Sequence, residues 1–341
     1  MLIGVYTSTG NPIEVSPQHS YCLASQAKMQ GCEVVFFERK DIDYNSKIIE
    51  GIIRKNGRWE KEIFPFPDVV IDECLTLDKE VNKGIQEAKV LIDKVPRIKF
   101  PTLDKFEIYN KFKKSNKLRQ YIPPYDIINS ISIVKQYLGE YNRIVVKPIK
   151  GIKGNDIIFI EKKDDYYLIK NHTKSHKLSQ NQFDYLIKKI IDKTYIVQPY
   201  LECRTNLDRP FDFRVHVQRN STGKWSITKM YARVGNKKSI ISNLSQGGMI
   251  SNIDYFLFTE FEDQAVHTKE TLSKIALNIA KYANSIFSYT LDELGVDLSI
   301  DKNNKVWLYE INGSPACRFH KWQRARKTVA YAKYIIKNQK K

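Results

Sequence analysis

The segment GVDLSIDKNNKVWLYEIN, residues 295–312, alternates apolar and polar residues on either side of a Lys- and Asn-rich centre. Period-two alternation interrupted by a short polar stretch specifies two antiparallel strands with one buried face. A turn at 302–305 that sets Asp301 opposite Val306 also sets Asp297 opposite Glu310. One face then carries Val296, Leu298, Ile300, Trp307, Tyr309 and Ile311. The other carries Asp297, Glu310 and, two residues further on, Asn312. Carboxylates opposed across a ladder sit ~4.5–5.5 Å apart and repel one another. A divalent cation would offset that repulsion, and a set of oxygen ligands suits Mg²⁺ or Mn²⁺. An ordinary solvated strand face has the same pattern, so the choice depends on what else the chain supplies.

Two upstream segments bear on it. In IVVKPIKGIKG (144–154), Lys147 ends a strand, and Gly151 and Gly154 follow in a turn. A lysine there is a point charge for phosphate, and glycines let backbone N–H groups approach a polyphosphate. The spacing is not that of a Walker A loop, and a plain glycine-turned hairpin would look alike. In RPFDFRVHVQ (209–218), Phe211, Phe213, Val215 and Val217 point one way and Asp212, Arg214, His216 and Gln218 the other; the returning strand adds Lys229 and Arg233. Such interleaved charges are either exposed ion pairs of little worth or a surface for a triphosphate and a developing acyl phosphate.

The 341 residues are enough for two or three domains. Over residues 1–100, apolar runs at 3–6, 34–37 and 69–71 read as buried parallel strands, with helical spacing at 17–30 and 78–90: a small α/β domain. Its first loop, TSTGNP, lacks the G-x-G-x-x-G of a dinucleotide site. A basic amphipathic helix follows at 104–121, then a β-meander over 144–170, a helix at 181–191 and a strand at 195–202. A long hairpin spans 211–234, a helix 268–288, and a basic helix begins near His320. Lys and Arg number 56 against 38 Asp and Glu, a net charge of +18 that attracts anions or simply solvates the surface. No apolar run is long enough for a membrane span, and no signal-peptide layout opens the chain. The five cysteines form no C-x-x-C pair, which fits a reducing, cytoplasmic setting. His172 and His176 have metal spacing only if helical, and the hydrophilic NHTKSHK around them reads as a solvated loop. His216 reads as a packing or ion-pairing residue, and Cys317 borders the site without a His–acid set to make it a nucleophile. The cations Arg318, Lys321, Arg324, Arg326 and Lys327 form a solvated face or an anchor for an anionic partner.

In combination, DKF (104–106), VVKP (145–148), QPYL (198–201), RPFDFRVHVQ, ARVG (232–235), SNLSQGG (242–248) and GVDLSID…VWLYEINGSP resemble the ATP-grasp superfamily. Within it the chain looks like the YheC/YheD-type proteins associated with endospore coats, and its layout is similar to RimK-type ligases and glutathione synthetases. The resemblance covers about residues 104–315. It implies a mixed α/β and α+β architecture: two α+β subdomains clasping ATP behind an N-terminal α/β domain. The boundaries would be 1–103 for the N-terminal domain, 104–201 for the lid with its leading helix, and 202–341 for the C-terminal subdomain. By the same resemblance, Lys105 and Lys147 contact phosphates, Gly151 to Gly154 form a flap over them, and Gln198, Pro199, Tyr200 and Leu201 border the adenine. Asp212 lies near ribose and phosphates with Arg214 as its partner, Arg233 stabilises the transferring group, and Asn243 lies near the terminal phosphates. Asp297, Glu310 and Asn312 hold two Mg²⁺ (or Mn²⁺) ions. Ile241 stands where RimK-type enzymes carry an arginine, and Pro199 where an acidic residue often sits. The implied activity is an ATP-dependent carboxylate–amine ligase working through an acyl phosphate on small-molecule or peptide substrates. The alternatives are a non-catalytic ATP-binding, spore-coat-associated protein and an RNA-binding protein built on the G-x-x-G at 151–154. The latter motif needs flanking helices, whereas strands flank it here.

Overall fold

The computed structural model describes residues 1–73, 95–99, 105–149, 156–171, 174–191, 194–237, 239–242, 247–287 and 291–339. Three sheets follow one another along the chain. The first contains β1 (Leu2–Tyr6), β2 (Glu33–Phe37), β3 (Ile42–Asp43), β4 (Ile48–Lys55), β5 (Arg58–Pro65), β6 (Val69–Asp72) and β7 (Arg97–Lys99). Its order is β3-β4-β2-β1-β6-β7, with β5 paired to β4. β1 runs parallel to β2 and β6, as continuous apolar runs buried on both faces should. The helix Pro17–Met29 falls where its spacing placed it; the segment 78–90 lies outside the described residues. The antiparallel β4–β5 hairpin on the sheet's flank is an addition that the apolar runs did not announce. β4 alternates buried with more exposed residues, because only one of its faces is covered.

The second sheet, entirely antiparallel, has β8 (Asp126–Ile127), β9 (Arg143–Pro148), β10 (Ile158–Lys162), β11 (Tyr167–Asn171), β12 (Lys174–Leu178) and β13 (Tyr195–Pro199) in the order β12-β11-β10-β9-β13-β8. The helices Ile131–Tyr141 and Gln180–Ile191 cover it through Val134, Leu138, Phe183 and Ile187, which pack on Ile144, Val146, Ile160 and Val197. The stretch expected to be a solvated loop around His176 is instead the edge strand β12, whose lysines suit an unpaired sheet edge. His176 is exposed there and not helical, and His172 lies outside the described residues. The leading helix is shorter than expected, Lys105–Lys113, and a separate 3₁₀ turn covers Arg119–Tyr121.

The third sheet positions the site. Its strands are β14 (Phe211–Arg219), β15 (Trp225–Val234), β16 (Met249–Asn252), β17 (Glu293–Ile300) and β18 (Val306–Asn312), in the order β16-β15-β14-β17-β18. Phe213, Val215, Val217, Val296, Leu298 and Leu308 form its apolar face. They bury against Phe256 and Leu257 of the helix Ile253–Phe261 and Leu272, Ile275 and Ile279 of the helix Ala265–Ile286. Ile108 and Phe112 of the leading helix join the same core. The opposite face is left for polar side chains, and the C-terminal helix Lys321–Gln339 crosses one end of it. That helix sends Ala325, Val329, Ala332 and Ile336 into the core of the first sheet, against Ile3, Val5, Leu23 and Ala27.

Candidate active site

The β17–β18 hairpin brings Asp297 opposite Glu310 and Gly295 opposite Asn312, by a route the alternation does not reveal. At the turn Ile300, not Asp301, pairs with Val306, one residue off the expected register. Asp301 is instead drawn into the turn, accepting from the N–H groups of Asn303 (2.8 Å) and Lys305 (3.0 Å) and from Trp307 Nε1 (2.8 Å). A bulge between Asp297 and Leu298 then inserts one extra residue on β18 and restores the pairing of the two acids. The bulge also corrects the faces. Val306 and Leu308 join Val296, Leu298, Ile300 and Ile311 in the core. Trp307 and Tyr309, expected beside them, are not part of that cluster: Trp307 is buried but bonds Asp301 at the turn, and Tyr309 is near Cys203 and Asp212.

On β14 the expected alternation holds, but the polar face is not solvated: Asp212, Arg214, His216 and Gln218 are all buried. Asp212 pairs in register with Arg233 of β15, and Arg214 with Asp297 of β17. Each register pair is a two-pronged guanidinium–carboxylate contact. Arg233 Nε donates to Asp212 Oδ1 at 2.7 Å and Arg214 Nη2 to Asp297 Oδ2 at 2.9 Å, alongside closer contacts from Arg233 Nη2 and Arg214 Nε. Arg233 Nη2 also reaches Asp297 Oδ2 at 2.9 Å, which joins the pairs into one charge-balanced network. Burial would raise the Asp297 carboxyl, but Arg214 and Arg233 outweigh it and hold the group below its ordinary range. The countercharge that the two opposed acids require is thus already supplied on one side by guanidiniums. A Cβ on Gly295 would come within 2.7 Å of Pro315 Cβ and 3.3 Å of Arg214 Nη1, so the glycine makes room for both.

Lys147, at the end of β9, brings the second sheet to this face. Its Nζ donates to the Tyr109 hydroxyl at 3.3 Å and lies 5.0 Å from the Tyr109 ring centroid. The Tyr109 hydroxyl donates in turn to the Tyr309 carbonyl on β18 at 2.5 Å. Burial pushes the Lys147 ammonium down to about 8, with Glu310 acting against the shift. Lysine and hairpin are therefore electrostatic neighbours, although they come from different sheets. On β13, Gln198 and Pro199 are buried, and Gln198 Nε2 has no hydrogen-bond partner among the described residues. The Tyr200 ring meets Phe159 edge-on at 4.9 Å, its hydroxyl accepts from Arg204 Nη1 at 3.1 Å, and Leu201 follows half-buried. Lys105 opens the leading helix; Gly151, Gly154 and Asn243 lie outside the described residues.

As donors, Asp297, Glu310 and Asn312 offer hard oxygen atoms only, which fits Mg²⁺ or Mn²⁺ and not a thiophilic metal. Tyr109 and Tyr309 were not foreseen as site neighbours. His216 pairs with Glu293, as an ion-pairing reading expected, but the buried set it forms with Glu293, His320 and Arg324 was not foreseen. Glu293 was within reach of the sequence, since it continues the polar alternation of Gly295 and Asp297 backwards along the strand.

A five-stranded antiparallel sheet bearing this network, faced by a lysine from a second antiparallel sheet and preceded by a mixed sheet with a parallel centre, is the arrangement of ATP-grasp proteins. Residues 94–337 match the family model described as YheC/D like ATP-grasp, and the chain belongs to that family. It is 26% identical over 333 residues to the endospore coat-associated protein YheD of Bacillus subtilis (strain 168), covering 92% of this chain and 72% of that protein. Among solved structures, the D-alanine-D-alanine ligase from Coxiella burnetii superposes with a TM-score of 0.56 at 12% identity, covering 100% of this chain and 96% of the other. The macrocyclase MdnC bound with precursor peptide MdnA, from Microcystis aeruginosa MRC, gives 0.52 at 12% identity over 99% and 100%. At these identities the two likenesses establish the fold. Among the described residues no helix is long and apolar enough to cross a membrane.

Proposed function

We propose that the protein is an ATP-dependent carboxylate–amine ligase. A substrate carboxylate oxygen takes the γ-phosphoryl group of ATP, releasing ADP; an amine then displaces phosphate from the acyl phosphate and forms an amide. The observation that carries this reading is the joining of Arg214, Arg233, Asp212 and Asp297 into one buried network opposite Glu310 and beside Lys147. Buried ion pairs add little stability over apolar packing, so a network of this size is better explained by the charge it will meet. Lys147, with Lys105, would face the nucleotide phosphates, and Arg233 and Arg214 the transferring group. Gln198 Nε2, a buried donor with no partner among the described residues, would meet an acceptor on the adenine edge, next to Pro199, Tyr200 and Leu201. Asp212 would stand near the ribose, Asn243 near the terminal phosphates, and Gly151 to Gly154 over them. Asp297, Glu310 and Asn312 would hold Mg²⁺, which when bound neutralises phosphate oxygens. The protein's share is positioning and charge stabilisation, without a covalent enzyme intermediate.

The net charge of +18 favours acidic substrates, and a peptide fits the neighbour bound with a precursor peptide. Domain boundaries near 104 and 202, a cytoplasmic site of action and an association with the spore coat complete the proposal, the last by likeness to YheD. Ile241, in place of a phosphate-binding arginine, favours a second reading: a protein that binds ATP without turning it over. ATP turnover by the unsubstituted protein separates the two, and Glu310→Ala tests the hairpin's part in it. Glu310 is half-buried on β18, so the variant keeps its fold. The ligase reading expects ATP turnover to vanish in it, and undiminished turnover would remove the hairpin from the mechanism.

A further inference from the structure

Beyond Arg214 the polar face of the third sheet continues into a chain of buried groups that phosphoryl transfer itself does not use. Glu293 on β17 is fully buried, and Arg324 of the C-terminal helix holds it through Nε to Oε2 and Nη2 to Oε1, each at 2.9 Å. Burial alone would raise its carboxyl, but Arg324 and His216 hold it down to about 2, so it is ionised and can only accept. His216 Nε2, 3.1 Å from Glu293 Oε2, therefore carries the hydrogen. Burial, with Arg324 and Arg214, pushes the His216 imidazole down against the pull of Glu293, so the ring is neutral and bare at Nδ1, which accepts from His320 Nε2 at 2.6 Å. His320 in turn keeps its single hydrogen on Nε2 and a free lone pair on Nδ1. That atom is buried, and no donor reaches it among the described residues. A buried lone pair left without a donor is costly, and a ligand N–H would satisfy it.

His216 lies on the same side of β14 as Arg214 and two residues along, ~7 Å away at strand rise. Tyr231, directly opposite Arg214, has its ring 6.1 Å from the His320 imidazole. The loop 313–320 carries His320 there straight from Asn312. The free lone pair thus belongs to a side chain bonded to the same polar strand face that carries Arg214, the partner of Asp297.

We propose that His320 Nδ1 receives the proton of the attacking amine, as the outer end of a Glu293–His216–His320 chain. The assignment rests on the ligase reading. The amine lone pair forms the C–N bond at the acyl carbon, and the bond from that carbon to the phosphate oxygen breaks with its electron pair leaving on phosphate. The N–H proton passes to Nδ1 and on to the departing phosphate, released as HPO₄²⁻. Burial and His216 push the His320 imidazole down to about 3, with Lys229 and Arg324 adding to the shift and Glu293 opposing it. The ring therefore waits neutral, and an acyl phosphate alongside raises its basicity.

Two measurements decide. Long-range ¹⁵N–¹H NMR of the whole protein should show His320 as the Nε2–H tautomer down to about pH 5. An Nδ1–H tautomer, or protonation near pH 6.5, overturns the proposal whatever the activity. Second, His320→Ala is assayed for ADP release with ATP and the pooled amino acids as carboxylate donors, with and without hydroxylamine, a nucleophile that attacks acyl phosphates without a base. Amine-driven release should fall about 10²-fold, and hydroxylamine should restore turnover to within about threefold of the unsubstituted protein, which also shows that the variant folds. Equal losses with both nucleophiles overturn the role of His320. No ADP and no hydroxamate from the unsubstituted protein overturns the ligase reading instead.

Discussion

Lys147 shows how much of the site's chemistry a single side chain carries. Its ammonium is held down to about 8 by burial, against the pull of Glu310, so the folded protein releases a proton that the unfolded chain keeps until about 10.5. Between those pH values the unfolded state binds more protons, and stability from this group rises with pH across that window. On the proposed reading a nucleotide phosphate lies beside the ammonium, favours its charged form and reverses the shift. ATP binding at about pH 8.5 should therefore take up a fraction of a proton, and affinity should fall as pH climbs further. Calorimetry in two buffers of different ionisation enthalpy checks this. Proton uptake that survives in Lys147→Met would assign it to another group.

At the scale of the element, the β17–β18 hairpin was legible in outline and misread in detail. The alternation located both strands and the opposed acids, since period-two patterning survives whatever the turn does. It could not show that Asp301 would fold its carboxylate into the turn, nor that a bulge would return the register. Those depend on side-chain-to-backbone bonds and on the fit against β14, and they took Trp307 and Tyr309 out of the cluster formed by Val306, Leu308 and Ile311. Strands 3–6, 34–37 and 69–71 were readable for the opposite reason: burial on both faces leaves an unbroken apolar run. The β4–β5 hairpin, with one covered face and scattered charges, left only a weak trace. Gly295, the third residue of β17, is a sharper matter. Gly295→Val would drive a side chain into Pro315 and Arg214, tilting the guanidinium that holds Asp297. A loss of about 1–3 kcal/mol in unfolding free energy is expected from such overpacking, with a larger loss of turnover than of ATP binding. A variant with normal activity would show that Arg214 needs no fixed seat.

Across the whole molecule, the site depends on three sheets meeting, and long-range contacts of that kind leave little mark on a local pattern. Arg324 is the plainest case. The sequence offers it as one cation in a basic run, whereas in the fold it bonds Glu293 of the third sheet, His19 at 2.9 Å and Glu73 at 3.3 Å. Lys327 is likewise turned inward, donating to the Ile227 carbonyl at 2.6 Å. The C-terminal helix thus fastens the first sheet to the polar face of the third. On the proposed ligase reading, ATP would lie between the third and second sheets, facing Lys147.

The most direct test is to incubate the protein with Mg²⁺ and ATP against amino acids, peptides and acidic polymers, counting nucleotide products and weighing any adduct. An acyl-phosphate ligase releases ADP and phosphate in equal amounts, with one amide product lighter than its two substrates by one water. Release of AMP and pyrophosphate, or bound ATP that stays intact across the whole panel, would contradict it.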